Sequence, residues 1–332
     1  MQGGIATRHD GRMTARGARC RPGGIPVTKA SRPASRAGRD PAPPPGRAAG
    51  GAAPSRPVEP PMEDTTFVHL SDLHIGDGDD PTLLSDTGET LAAVVATIRA
   101  MVPPPRFAVV SGDLTHRGDP ASYGVVARAL SSLPCPVICG LGNHDDRNGY
   151  AQGFGIGGGF GTGGGPAFGE RMVEGIHVIV LDTSVPGRIG GAIDPHQFDW
   201  LAETLEHHRA APKILIMHHP PALDGELGWK TIDPAATARL AALLRGRDVA
   251  AILTGHIHQD RVVIWHGVPV VTVSGQHATM DALCRDGLRS LRGASFGLCR
   301  LGPAGFAVTF VQMPSDRAEL ERLSRDTVLS FV

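Results

Sequence analysis

Five times along this chain a short apolar run stops at side chains able to donate an oxygen or nitrogen, and a turn or helix follows. Phe67-Val68-His69-Leu70 ends in Ser71-Asp72-Leu73-His74, and Phe107-Ala108-Val109-Val110 ends in Ser111-Gly112-Asp113. Val137-Ile138-Cys139 ends in Gly140-Leu141-Gly142-Asn143-His144-Asp145. Ile214-Leu215-Ile216-Met217 ends in His218-His219-Pro220-Pro221, and Ala250-Ala251-Ile252-Leu253 ends in Thr254-Gly255-His256-Ile257-His258. Short apolar runs bounded by turn residues read as buried strands. Alternated with helical stretches they build an α/β fold, whose ligands gather outside the carboxyl ends of the strands. A lone Asp-x-His is common in surface loops. Seven O or N donors at successive strand ends, Asp72, His74, Asp113, Asn143, His218, His256 and His258, make one constellation.

The intervening stretches fit that frame. Helical spacing covers residues 84–101, stopped by Pro103-Pro104-Pro105, and further helices are expected over 120–132, Phe198 to His208 and 234–245. Ile176-His177-Val178-Ile179-Val180-Leu181 is another buried strand, and strands at 261–265, 269–273, 296–300 and 306–312 close the body. The glycine-dense segment within 152–169 lacks the strand-then-helix setting of a phosphate loop and reads as a loop near the site mouth.

Charge separates the chain into unlike parts. Residues 1–61 hold ten Arg and Lys29 against Asp10, Asp40 and Glu59, a net of +8, which leaves 21 basic and 30 acidic residues, −9, for the rest. The extension is rich in Arg, Pro, Gly and Ala and has little to bury, so it reads either as a disordered tail or as residues upstream of a start at Met62. An acidic body excludes a nucleic-acid polymer as partner, since that surface would be basic. Five cysteines, odd in number and sparse, read as reduced thiols of a cytoplasmic protein. No apolar run approaches the roughly 18 to 20 residues of a membrane span.

The ordered set Asp-x-His, Gly-Asp, Gly-Asn-His-Asp, His-His-Pro-Pro and Gly-His-x-His resembles the calcineurin-like metallophosphoesterase superfamily over residues 65 to 312. Within it Ser71-Asp72-Leu73-His74, Gly112-Asp113-Leu114-Thr115 and Leu181-Asp182-Thr183 resemble the bacterial class III cyclic-nucleotide and glycerophosphodiester phosphodiesterases. The resemblance implies a four-layer α/β/β/α sandwich over residues 62–315, followed by a tail or short helix over 316–332. It implies one metal ion held by Asp72, His74, Asp113 and His258 and a second held by Asp113, Asn143, His218 and His256, with Asp113 bridging. His144 takes the place of the family's catalytic histidine. Imidazole and carboxylate donors suit Fe/Mn, Mn/Mn or Fe/Zn pairs. The implied reaction is attack of a metal-bound hydroxide on a small phosphodiester, cAMP foremost. The alternatives are a glycerophosphodiester or phosphomonoester substrate, or a non-catalytic metal-binding scaffold. The subgroup also implies a homodimer. Protein phosphatases of the superfamily carry Gly-Asp-x-x-Asp-Arg-Gly, whereas here His116 replaces the second acid, which argues against a phosphoprotein substrate. Three neighbours have two readings each: Asp145 as an orienter of His144 or a solvated carboxylate, Arg117 as a phosphate clamp or a surface arginine, and His219 as a structural residue or a ligand.

Overall fold

The structure is a computed structural model that describes residues 63–154, 160, 164–223 and 227–331. The extension over residues 1–61, and residues 155–159 and 161–163 of the glycine-dense loop, lie outside the described residues. The chain enters through β1 (Thr65–Leu70), α1 (Thr87–Arg99), β2 (Ala108–Ser111), α2 (Pro120–Ser131), β3 (Val137–Gly140) and α3 (Arg147–Phe154). A second series follows: β4 (Gly169–Val173), β5 (Ile176–Val180), α4 (Pro195–Thr204), β6 (Lys213–Ile216), α5 (Pro234–Leu244), β7 (Val249–Thr254), β8 (Arg261–Trp265) and β9 (Val268–Thr272). The last elements are β10 (Thr279–Met280), β11 (Gly287–Leu291), β12 (Ser295–Gly302), β13 (Gly305–Gln312), β14 (Glu319–Ser324) and α6 (Arg325–Leu329).

Helix starts are encoded locally. Asp86, Asp119, Asp194 and Asp233 each accept a hydrogen bond from a backbone N–H of the first turn, and the last three are followed at once by proline. The side-chain acceptor satisfies an orphan donor, and proline's missing N–H costs nothing at the first helical position. The cap at Asp86 explains why the helix expected from residue 84 begins at Thr87.

The strands form a five-stranded sheet in the order β13-β12-β1-β2-β3 and a six-stranded sheet in the order β4-β5-β6-β7-β9-β8. β1, β2 and β3 are mutually parallel, as are β5, β6, β7 and β9. Side chains alternate faces along a strand, so each strand feeds two cores. Val68 and Val110 pack under α1 and α2, while Phe67, Val109, Val178 and Ile216 meet between the sheets. Ile179 and Leu215 face α4 and α5. The result is the expected α/β/β/α sandwich. At its centre Phe67 stacks on Phe107 with ring centroids 4.5 Å apart, worth about 1 kcal/mol beyond burial. Within residues 316–332 a short helix is preceded by β14, which pairs with β11 and, through it, joins β10 in a third small sheet. Among the described residues no helix is long and apolar enough to cross a membrane.

Candidate metal centre

The carboxyl ends of the parallel strands converge, and the backbone there is bent hard. Asp72, His74, Asp113, His256 and His258 all adopt positive φ, between 45° and 70°. Non-glycine residues rarely do so, and each such residue costs on the order of 1–3 kcal/mol. The gain is that consecutive donors turn into one space. The loops are laced together: Asp72 N donates to Gly112 O at 3.0 Å and His74 N to Asp113 O at 3.0 Å. Glycines permit this approach. A Cβ on Gly112 would sit 2.6 Å from His218 Nδ1, and one on Gly142 would overlap Asp113 Oδ1.

Asp113 Oδ2 lies 3.1 Å from His218 Nε2 and 3.5 Å from His74 Nε2. Asp72 Oδ1 lies 3.2 Å from His258 Nε2 and 4.0 Å from the Nε2 atoms of both His74 and His218. The opposite ring nitrogens are tied to backbone carbonyls: His218 Nδ1 to Ser111 at 3.0 Å, His258 Nδ1 to Ala278 at 3.0 Å and His256 Nε2 to Trp229 at 2.7 Å. Such bonds orient an imidazole and leave its other nitrogen to a metal. Buried His74 Nε2, His218 Nε2 and Asn143 Oδ1 have no hydrogen-bond partner. An unpartnered buried polar atom costs about 1–3 kcal/mol, and bound cations would give these atoms their partners. The seven donors therefore fit metal ions, without a thiolate among them.

The charges agree. Burial pushes the Asp113 carboxyl up, but His218, His144 and His74 outweigh it and hold the group well below its ordinary range. Asp72 is likewise lowered, burial being outweighed by His258 and His218. Burial pulls His218 down, yet Asp113 and Asp72 raise it to about 9. Burial holds His74 and His256 well below the usual imidazole range, so each ring is neutral at neutrality and keeps one nitrogen with a free lone pair. An ion entering the metal-free protein below pH 9 must displace the His218 proton. Apparent affinity for Zn²⁺ or Mn²⁺ is therefore expected to rise at least about tenfold per pH unit from pH 7 to about 9 and then flatten. Calorimetry in buffers of different ionisation heat measures the released proton; uptake independent of pH would refute the assignment of His218.

The neighbouring residues separate into roles that only the coordinates distinguish. Asp145 does not orient His144 and is not solvated: it accepts from Leu114 N, Thr115 N, Gly142 N and Tyr123 Oη at 2.9–3.1 Å. It clamps the loop carrying Asp113 to the loop carrying Asn143. His144 is instead set by its backbone N, which donates to Asp113 Oδ1 at 2.8 Å, and by Nδ1, 3.1 Å from the His116 carbonyl. Arg117 is engaged with Asp80, Nε to Oδ2 at 2.7 Å, rather than held ready for a phosphate. His219 has both ring nitrogens occupied, by Thr183 Oγ1 at 2.8 Å and Ile189 O at 2.9 Å, which fits the structural reading.

His74, Asp113, Asn143, His256 and His258 floor a cavity of about 540 Å³. Ile189, Trp229, Leu288, Leu323 and Phe331 give it an apolar wall, with the Trp229 and Phe331 rings 5.5 Å apart. Pro81, Thr82, Ile189 and His277 line it from loops between the strands and helices. Trp229, Leu323 and Phe331 carry no signal in the sequence, because they reach the cavity from far along the chain. His277 Nε2 accepts from Leu84 N at 3.0 Å, so its proton sits on Nδ1, and the ring groups with those of His74 and His258.

A cluster of Asp, His and Asn donors at the open edge of a four-layer sandwich defines a metal-dependent hydrolase. The chain belongs to the calcineurin-like phosphoesterase family, whose model matches residues 65–260. It is 34% identical over 248 residues to a cAMP/cGMP dual specificity phosphodiesterase of Mycobacterium tuberculosis, covering 72% of this chain and 76% of that protein. It is 26% identical to the glycerophosphodiester phosphodiesterase GpdQ of Enterobacter lignolyticus, covering 62% and 76%. In fold it is similar to the solved structure of GAP50, the anchor in the inner membrane complex of Plasmodium, with a TM-score of 0.50, 15% identity and coverage of 79% and 88%.

Proposed function

We propose that the protein is a cytoplasmic phosphodiesterase with a dinuclear centre, acting on 3′,5′-cyclic nucleotides with cAMP the leading substrate. The observation that carries this reading is the cavity itself, donors on one side and Trp229, Phe331, Leu323 and Ile189 on the other. A cyclic nucleotide has the same two halves, an anionic diester and a flat base that gains about 0.5–1.5 kcal/mol by stacking on an aromatic ring. In this reading Asp72, His74, Asp113 and His258 hold one ion, and Asp113, Asn143, His218 and His256 the other. Iron, manganese and zinc all suit those donors. When bound, the ions polarise phosphoryl oxygens and lower the pKa of water. The chain supplies the rest. His144 presents Nε2 to the cavity, where it protonates the leaving oxygen, and Nδ1 stays with the His116 carbonyl so the ring cannot swing. Asp113 holds the His144 backbone, so the metal-binding and proton-donating groups share one anchor.

The test is turnover by the Mn-reconstituted protein of cAMP, bis(p-nitrophenyl) phosphate and glycerophosphocholine. Preference for cAMP is expected. Preference for glycerophosphocholine would establish the alternative reading suggested by the GpdQ relative, and no turnover with ions bound would leave a scaffold. His144→Ala is expected to lower kcat on cAMP by about 10²- to 10⁴-fold. The loss should be much smaller on bis(p-nitrophenyl) phosphate, whose leaving group needs no proton. Equal losses on both would remove His144 as the acid.

A further inference from the structure

His116 occupies the position where the sequence departs from the phosphoprotein phosphatases, and its ring does something the motif does not announce. It is 7% exposed, with Nδ1 3.3 Å from His74 Nδ1 and Nε2 2.7 Å from Thr82 Oγ1. The direction of every hydrogen bond in this chain of groups follows from its outer end. Arg117 binds Asp80 through Nε at 2.7 Å and Nη2 at 3.2 Å, so Asp80 is an ionised acceptor with no proton to give. Thr82 Oγ1 lies 2.6 Å from Asp80 Oδ1 and must spend its one proton there. It also accepts from Arg117 Nη2 at 3.1 Å. Toward His116 the hydroxyl has only a lone pair left, so His116 carries its proton on Nε2. His116 Nδ1 is then an acceptor, and His74 Nδ1 must be the donor. A neutral His74 with its proton on Nδ1 has its lone pair on Nε2, the buried atom 3.5 Å from Asp113 Oδ2 that has no hydrogen-bond partner.

We propose that His116 is a positioning residue that, in relay with Thr82 and the Asp80–Arg117 pair, fixes His74 in the tautomer that offers Nε2 to a metal ion. The relay rests on the reading of His74 as a metal ligand. It accounts for a histidine at this position, since the imidazole has to accept on one side and donate on the other. Its carbonyl simultaneously holds His144 Nδ1, so one residue registers a metal-binding and a proton-donating histidine against each other.

The relay is tested on the full chain by titrating the metal-free protein with Zn²⁺ against a chelator and by recording histidine ¹⁵N shifts of the zinc-loaded form. Wild type should bind two ions and show His116 protonated at Nε2 and His74 at Nδ1. His116→Leu should weaken one of the two ions by about 10- to 100-fold and leave the other unchanged, the range found for partners that orient metal-bound imidazoles. Thr82→Val should move affinity in the same direction by less, and Thr82→Ser should restore it. Because Thr82 is exposed, the Val/Ser pair keeps the test open if His116→Leu fails to fold. Wild-type affinity for both ions in Thr82→Val and His116→Leu, or a His116 proton on Nδ1, would overturn the relay. Wild type that binds no ion at all would overturn the metal reading beneath it.

Discussion

Asp113→Asn is expected to lower kcat/KM by about a thousandfold or more, roughly 4 kcal/mol of barrier, and to reduce the bound metal below two ions per chain. Asparagine is isosteric and its Oδ1 keeps the bond from His144 N, so the loop should survive. What changes is the other oxygen. Oδ2 lies 3.1 Å from His218 Nε2 and 3.5 Å from His74 Nε2, next to one proposed ligand of each ion. An NH₂ group there would point a donor at the protonated His218 ring and would offer a metal ion no negative charge. His218 would also lose the first of the charges that raise it to about 9, so its pKa should fall toward the ordinary imidazole value. Metal analysis beside steady-state kinetics reads both effects. Two ions and full turnover in Asp113→Asn would dismiss the bridging role.

The second large effect falls on stability. Asp145→Ala is expected to cost about 3–5 kcal/mol, on the order of 10 °C in Tm. Alanine would strand the N–H groups of Leu114, Thr115 and Gly142 and the Tyr123 hydroxyl, which all converge on one carboxylate. Tyr123 is wholly buried, and two of those N–H groups follow Asp113 while the third precedes Asn143. Metal affinity should therefore fall with stability. Thermal unfolding of the metal-free form isolates the packing term, and a Tm within about 2 °C of wild type would mean that water replaces the carboxylate at no cost.

The layers and the donor edge were legible in the amino-acid sequence because the signals for them are local. Alternation of side chains along β1, β5 and β6 decides which core each residue enters, and a strand's direction decides at which end its ligands emerge. Asp-Pro at residues 119–120, 194–195 and 233–234 writes the helix starts in the same way. All seven expected donors come to the same edge, and the glycines beside them, Gly112, Gly142 and Gly255, already mark where backbones must pass closely.

Pairings between loops were not legible, since they depend on which turns touch rather than on spacing. The sequence leaves Asp145 as an orienter of His144 or a solvated carboxylate, but its oxygens turn back to a loop some thirty residues earlier. Arg117 carries no information in its motif about Asp80, 37 residues away. The apolar wall joins Ile189, Trp229, Leu323 and Phe331, drawn from three distant segments, and no periodicity connects them. Local sequence determined the strands, caps and donor edge through dihedral and burial preferences acting over a few residues. Tertiary structure alone decided which nitrogen of each histidine faces the site and what stands opposite the donors, because hydrogen-bond direction and cavity shape exist only once distant loops have met.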